Sequence, residues 1–264
     1  MSTSAKTDDA LFARVNALPG FGHQKDADSL HTMRFFKKAD GAEAKAQVTR
    51  TLRRPGSSSA VGCWIRPSGL RQDEFMPIQI AQEPHADEVL NADPFALVVG
   101  MMLDQQYPME HAFRGPAKVL DRFGTLDPAV IAAAEPETFA DLCATPPAIH
   151  RYGRSMAGRM QELARHIVEE YDGDVTRLWT EAKTGDALFA RVKALPGFGE
   201  QKAKIFTSLL AKQLDVKPRG WTTVVGDYGR KGYRSVADVV DGESLQKVRD
   251  FKKAHKAAAQ AATD

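Results

Sequence analysis

Ala194-Leu195-Pro196-Gly197-Phe198-Gly199-Glu200-Gln201-Lys202-Ala203 is the stretch on which the fold turns. Ahead of it, Asp186-Ala187-Leu188-Phe189-Ala190-Arg191-Val192-Lys193 has the pattern of a short amphipathic helix with an Asp near its start. After it, Ile205, Phe206, Leu209, Leu210 and Leu214 recur at helical spacing. Pro-Gly-Phe-Gly joins the two patterns by a turn too tight for residues that resist positive φ.

Spacing alone leaves two readings of this turn. One is a plain αα-hairpin closed by glycines. In the other, Gly197 and Gly199 lack Cβ atoms, so backbone N–H groups can approach an anion. The unpaired N–H groups and positive dipole end of the next helix then face the same anion. A phosphodiester fits that arrangement.

The chain has 264 residues, 43% of them hydrophobic, with a formal net charge of +2. Mean hydropathy is −0.37 and the pI is about 8.5. There is enough apolar mass for a core, and no apolar run approaches the ~20 residues of a membrane span. The opening Met-Ser-Thr-Ser-Ala-Lys-Thr-Asp-Asp lacks the apolar core of a signal peptide, so a cytoplasmic location is the expectation. Cys63 and Cys143 are too few for a disulfide framework or a four-thiolate metal site. A mildly basic balance permits nucleic-acid binding where the basic residues gather on one face.

The early residues copy later ones. Residues 6–25 mirror 183–202 at an offset of 177, and residues 29–38 mirror 244–253 at an offset of 215. The offset jumps by 38, so the early copy lacks the segment that lies between the two matched stretches in the later one. A solenoid would keep a constant period. Residues 1–47 therefore read as a degenerate partial repeat, and residues 48–77, with Arg53-Arg54-Pro55-Gly56-Ser57-Ser58-Ser59 and no sustained period, as a disordered linker. On this reading the working protein starts near Met76, with the domain over 78–258 and a tail over 259–264. The alternative is a second working hairpin around Pro19 to Gly22.

From Asp93 onward the signals are helical, with no convincing strand. Asp93-Pro94 places an N-cap before a proline at the first helical position, ahead of a helix from Phe95 to Gln106 that is nearly all apolar until Asp104-Gln105-Gln106. Pro108, Asp127-Pro128 and Glu135-Pro136 open further helices. A long helix from about Tyr152 to Tyr171 carries Met156, Met160, Leu163, Ile167 and Val168 on one face. Arg151, Arg154, Arg159 and Arg165 read as its solvated face. A last Lys- and Ala-rich helix runs from about Glu243 to Ala262. The predicted fold class is all-α.

Leu-Pro-Gly-Phe-Gly-Glu-Gln-Lys-Ala resembles the helix-hairpin-helix of DNA repair proteins. Residues from about Ile80 to Lys256 resemble the helix-hairpin-helix/Gly-Pro-Asp superfamily of base-excision DNA glycosylases, typified by endonuclease III. Two further matches carry this. Leu97 to Gln106 resembles the superfamily's buried helix ending in S-x-Q or S-Q-Q, and Ile149-His150-Arg151-Tyr152-Gly153-Arg154-Ser155-Met156-Ala157 is similar to its I-x-x-x-Y-x-x-K-A helix start.

The resemblance implies double-stranded DNA as partner, no membrane, a monomer, and a monofunctional glycosylase that flips and releases a damaged or mispaired base. Leu195, Pro196, Gly197, Phe198, Gly199, Gln201 and Lys202 become the DNA-gripping set. Gln105, Gln106, Tyr107 and Tyr152 become the base-flipping and pocket set, Gln106 matching the position whose amide fills the vacated space. No cofactor or metal is implied. The iron–sulfur loop of some members has no counterpart, since no cysteine follows Cys143, though the hairpin could hold a monovalent cation.

Two departures qualify the expectation. Bifunctional members carry a lysine two residues past the second glycine, where this chain has Gln201. Lys202 falls on the next face of the helix, so no Schiff base is expected. The superfamily's aspartate lies ~18 to 20 residues after that lysine position; here the window reads Arg219-Gly220-Trp221-Thr222-Thr223. Asp215 and Asp227 are the nearest carboxylates, and Asp227, between Gly226 and Gly229 and beside Tyr228, is the catalytic candidate. The alternative is a catalytically inactive DNA-binding relative, with a helical protein-interaction domain as the third reading.

Overall fold

A computed structural model of the chain describes three strands between residues 21 and 44, as backbone alone, and residues 78–261. It divides into two units, residues 1–60 and residues 61–264.

The first unit contains an antiparallel sheet of β1 (Phe21–Lys25), β2 (Met33–Ala39) and β3 (Ala42–Ala44), in that order. Phe21 pairs with Lys37 and Lys25 with Met33. The sequence shows no convincing strand pattern here. β1 and β2 are near copies of residues 198–202, which form the end of the hairpin turn and the start of α9, and 248–254, which are helical in the second unit. The physical reason lies in what separates the copies. Only residues 26–32 intervene between β1 and β2, a connection short enough for antiparallel pairing. The packing that holds a short segment helical is supplied by other elements and not by the segment itself. The rest of residues 1–47 and the expected linker over 48–77 lie outside the described residues.

The second unit is all-α among its described residues, as expected. Asn91 ties down its first ordered turn: its Oδ1 accepts from the Ile78 N–H at 2.9 Å and its Nδ2 donates to the Ile78 carbonyl at 2.8 Å. Helix α1 (Pro84–Ala92) precedes α2 (Pro94–Leu103). Asp93 caps α2 as the Asp-Pro pair predicts, accepting from the N–H of Phe95 at 2.8 Å and of Ala96 at 3.3 Å.

Every residue of α2 from Phe95 to Leu103 is buried. Full burial of each large apolar side chain contributes roughly 1.5–3 kcal/mol, so this helix is the centre of the core. Its neighbour α3 (Met109–Phe123) comes very close. A Cβ built on Gly100 would sit 2.6 Å from the Phe113 ring, so glycine is what lets that ring pack across α2.

Helices α4 (Pro128–Ala133) and α5 (Pro136–Ala144), capped by Asp127 and Glu135, pack on the long α6 (Gly153–Tyr171). The short α7 (Arg177–Thr180) leads to the hairpin of α8 (Gly185–Ala194) and α9 (Glu200–Gln213). Then follow α10 (Trp221–Val225), two 3-10 turns (Gly226–Gly229 and Val236–Asp238) and α11 (Gly242–Ala261). The helix predicted through Gln106 stops at Leu103. Asp104 closes it by donating its N–H to the Gly100 carbonyl at 3.1 Å. Gln106 then turns the chain with φ of 50°, toward Pro108.

Candidate active site

Leu195 and Phe198 are buried and hold the turn in place, Phe198 meeting the Phe206 ring edge-on at 5.9 Å. Gly197 and Gly199 are exposed. The two glycines differ in kind. Gly197 has φ of 82°, and a Cβ there would touch Met102 Cγ at 3.6 Å and Gln105 Nε2 at 3.9 Å. Gly199, with φ of −80°, has a backbone any residue adopts, and nothing lies within 4 Å of the position a Cβ would take. The need for glycine conformation is thus at Gly197 alone, and Gly199 leaves open space in front of the first turn of α9. No side chain caps that turn, so its N–H groups and the dipole end face outward.

The hairpin rests on the end of α2. Lys202 Nζ donates to the Met102 carbonyl at 2.9 Å, beneath the Phe198 ring at 5.6 Å. Burial pulls the amine down to about 8, with neighbouring Asp104 opposing that shift and Arg159 adding to it. Asp104 is the carboxylate of this floor. Burial raises its carboxyl above the ordinary value, Lys252 and Lys202 counteract, and Glu110 pushes the same way as burial. Lys202 and Asp104 act on each other electrostatically, the lysine's pKa lowered and the aspartate's raised by burial.

The rim is built from the segment after Asp104 and from the start of α6. Arg159 donates to Gln105 Oε1 at 2.8 Å, while Gln105 Nε2 donates to the Met102 carbonyl at 3.2 Å. Gln105 is therefore locked against the hairpin. Gln106 is exposed, on its left-handed backbone, and its Oε1 accepts from Arg151 at 2.8 Å. Arg151 in turn lies over the Tyr152 ring at 4.7 Å, and Tyr152 is 54% exposed.

His150 is buried behind them. Its Nδ1 accepts from the Tyr152 N–H at 3.0 Å, which leaves Nε2 to donate to the Gln105 carbonyl at 3.1 Å. That pattern requires the neutral ring, and burial lowers its pKa in agreement. Tyr107 packs inward on His150, ring centroids 4.5 Å apart. The loop feeding this rim is gathered by α3. Arg122 donates to the carbonyls of Leu142, Thr145 and Pro147 at 2.7–3.2 Å, and Lys118 to that of Ala148 at 2.9 Å.

The hairpin, the end of the buried helix and the start of α6 thus meet at one place. A family model described as the HhH-GPD superfamily base excision DNA repair protein matches residues 99–263, well over half of the chain and all three of those elements. The chain belongs to the HhH-GPD superfamily. No curated protein and no solved structure matches it. Membership supports a base-excision repair, glycosylase-like function, and the HhH-GPD repair proteins act on DNA. No helix among the described residues is long and apolar enough to cross a membrane.

In this HhH-GPD chain the passage after α9 carries Tyr228 and Asp227. Tyr228 reaches the hairpin: its hydroxyl accepts from Gln201 Nε2 at 2.9 Å, and its carbonyl accepts from the Ser208 hydroxyl at 2.6 Å. Asp227 beside it points elsewhere. Its side chain is 67% exposed and pairs with Arg230 at 3.1 Å.

The structure therefore links Gln105, Gln106, Tyr107, Tyr152, Gly197 and Lys202 by successive contacts around the end of α2, and leaves Asp227 as a solvated ion pair. The sequence reading missed Asp104, His150, Arg151 and Arg159 as cleft residues. Asp104 and His150 sit inside the quoted motifs, where position was the available signal. Of the four arginines read as a solvated face, Arg151 and Arg159 turn to the cleft glutamines, while Arg154 pairs with Glu137 and Asp141.

Proposed function

We propose that this protein is a monofunctional DNA glycosylase that flips a damaged or mispaired base out of duplex DNA and releases it. The observation carrying the reading is Gln106. Its amide is held by Arg151 on a left-handed backbone, three residues past the end of the buried helix on which the hairpin also rests. Gripping phosphates requires no such amide. Filling the space left by a flipped base does.

In this reading the N–H groups at Gly197 to Gln201 seat a phosphate and Gln106 enters the stack. The C1′–N bond breaks with its electron pair leaving on the base, which takes up a proton, and water oxygen bonds to C1′. We assign the carboxylate facing the sugar cation to Asp104. It follows the buried helix beside Gln105; burial raises its pKa on balance, with the Lys252 and Lys202 charges opposing that shift. Asp227, the candidate from sequence, would have to leave Arg230 and solvent to reach the same place. Gln201 stands where bifunctional members carry lysine, and its bond to Tyr228 gives it a bracing role.

The test is a panel of duplexes, each with one modified or mispaired base, incubated with the full chain and then treated with or without alkali. Strand scission at one lesion only after alkali supports the reading. Scission without alkali would make the protein bifunctional. Binding without base release on every member would favour the inactive DNA-binding relative.

A further inference from the structure

Helix α11 outruns the domain it belongs to. Its first half is anchored by Ser244, Leu245 and Val248, all buried. From Arg249 to Ala258 every residue is exposed. At about 1.5 Å per residue, the stretch from Arg249 to the helix end at Ala261 extends about 20 Å.

This projecting part is basic on one side. With about 100° of turn per residue, Arg249, Lys252, Lys253 and Lys256 fall within an arc of roughly 100°. Elsewhere on the same helix charges are matched: Lys247 pairs with Glu243, and Gln246 donates to Asp250. Lys253 and Lys256 meet no carboxylate among the described residues. Like charges four residues apart on a helix repel, and past the Arg249–Glu110 pair no ion pair offsets this for Lys253 and Lys256 among the described residues. Such a stripe suits a polyanion that completes it.

The stripe also starts in a telling place. Arg249 forms an ion pair with the buried Glu110 at the head of α3, which pins the root of the projecting helix beside the cleft floor. Lys252, one turn further, still acts on Asp104. An arm leaving the edge of a DNA cleft and carrying lysines about every turn matches the regular charge of a phosphate backbone.

We propose that α11 is a second DNA-gripping element, with Lys252, Lys253 and Lys256 seating the sugar-phosphate backbone of the duplex beside the cleft, independently of the hairpin. This rests on DNA being the partner, and it adds a surface that the hairpin reading does not contain. The partner is recognised by phosphate charge alone, so the arm contributes affinity without sequence or lesion preference.

The experiment measures binding of a short undamaged duplex across a salt series, using the full chain and its triple variants. Lys252→Ala with Lys253→Ala and Lys256→Ala is expected to lower affinity about tenfold or more near 0.1 M salt, and to flatten the salt slope by roughly 2 to 3. The matching triple change to Arg keeps the charge and should keep both values, which separates charge from folding. Gly199→Asp is run in parallel. If it loses binding while the alanine triple matches the parent in affinity and slope, DNA recognition stands and the arm is overturned. If the parent binds no duplex, both fall. A change of mass in sedimentation with unchanged duplex affinity would show the arm holding a second copy of the chain, and would also overturn the proposal.

Discussion

The side-chain amine of Lys202 lies 2.9 Å from the carbonyl oxygen of Met102, one hundred residues earlier in the chain. Through that contact the first turn of α9 is clamped to the last turn of the buried α2, where free carbonyls and the negative dipole end favour a cation. The hairpin and Gln106 are positioned by the same helix end.

The clamp has a pH signature. Burial brings the Lys202 amine from 10.5 to about 8. Its folded value is below its unfolded one, so between the two the unfolded chain holds more protons and stability rises with pH. Below about 8 both states carry the proton and the cost of burying it is present in full. Lys202→Met removes the titration. The melting temperature of the parent relative to Lys202→Met should therefore climb by a few degrees between about pH 7 and about pH 9.5. Parallel curves would contradict the burial of this charge.

The two hairpin glycines should respond differently to alanine. Gly197 at φ of 82° would strain an L-residue by about 1–2 kcal/mol, so Gly197→Ala should melt a few degrees lower. Gly199 is unstrained and faces open space, so Gly199→Ala should melt with the parent yet bind duplex DNA several-fold more weakly, and Gly199→Asp more weakly still. Calorimetry and fluorescence anisotropy on the same preparations check this. Equal loss of stability in both alanine variants would remove the distinction.

Gln106 and Arg151 should act as a unit. Flipping costs a few kcal/mol of lost stacking, and an amide in the vacated space offsets part of it. Gln106→Ala should slow base release by about tenfold or more while affinity for undamaged duplex changes little. Arg151→Ala, which frees Gln106 and uncovers Tyr152, should move in the same direction, and the double variant should lose less than the product of the two. Independent effects would show that the 2.8 Å contact carries no function.

The helices were legible because their punctuation is local. Asp93-Pro94, Asp127-Pro128 and Glu135-Pro136 each signal a start, and the structure caps a helix at each. Gly124 was legible as a stop for the same reason. The hairpin and the end of α2 were legible as motifs. That the two touch was not, because Lys202 and Met102 are brought together by packing. The same holds for Arg159 and Arg151, whose helical spacing is that of a solvated face until Gln105 and Gln106 are set opposite. Asp104 reads as a helix-terminal carboxylate, and its burial comes from α9 and α11. The strands were illegible for the converse reason: residues 198–202 and 21–25 are nearly the same string, a turn and helix start in one place and a strand in the other, so context decides.

The early repeat is expected to be dispensable. Among the described residues of the second unit, Ile78 is already buried and bonded to Asn91. A chain starting at Met76 should melt with the full chain and bind duplex DNA with the same affinity. A clear loss of either would make residues 1–75 a working part.

Release of free base from a lesion-bearing duplex tests the central claim most directly, measured in single turnover with enzyme in excess for the parent, Asp104→Asn and Asp227→Asn. Asparagine keeps the shape of each side chain and removes the charge that a sugar cation needs. The account predicts at least ~100-fold slower release for Asp104→Asn with duplex affinity nearly intact, and release close to the parent for Asp227→Asn. Full activity in Asp104→Asn, or loss confined to Asp227→Asn, would contradict the cleft assigned here.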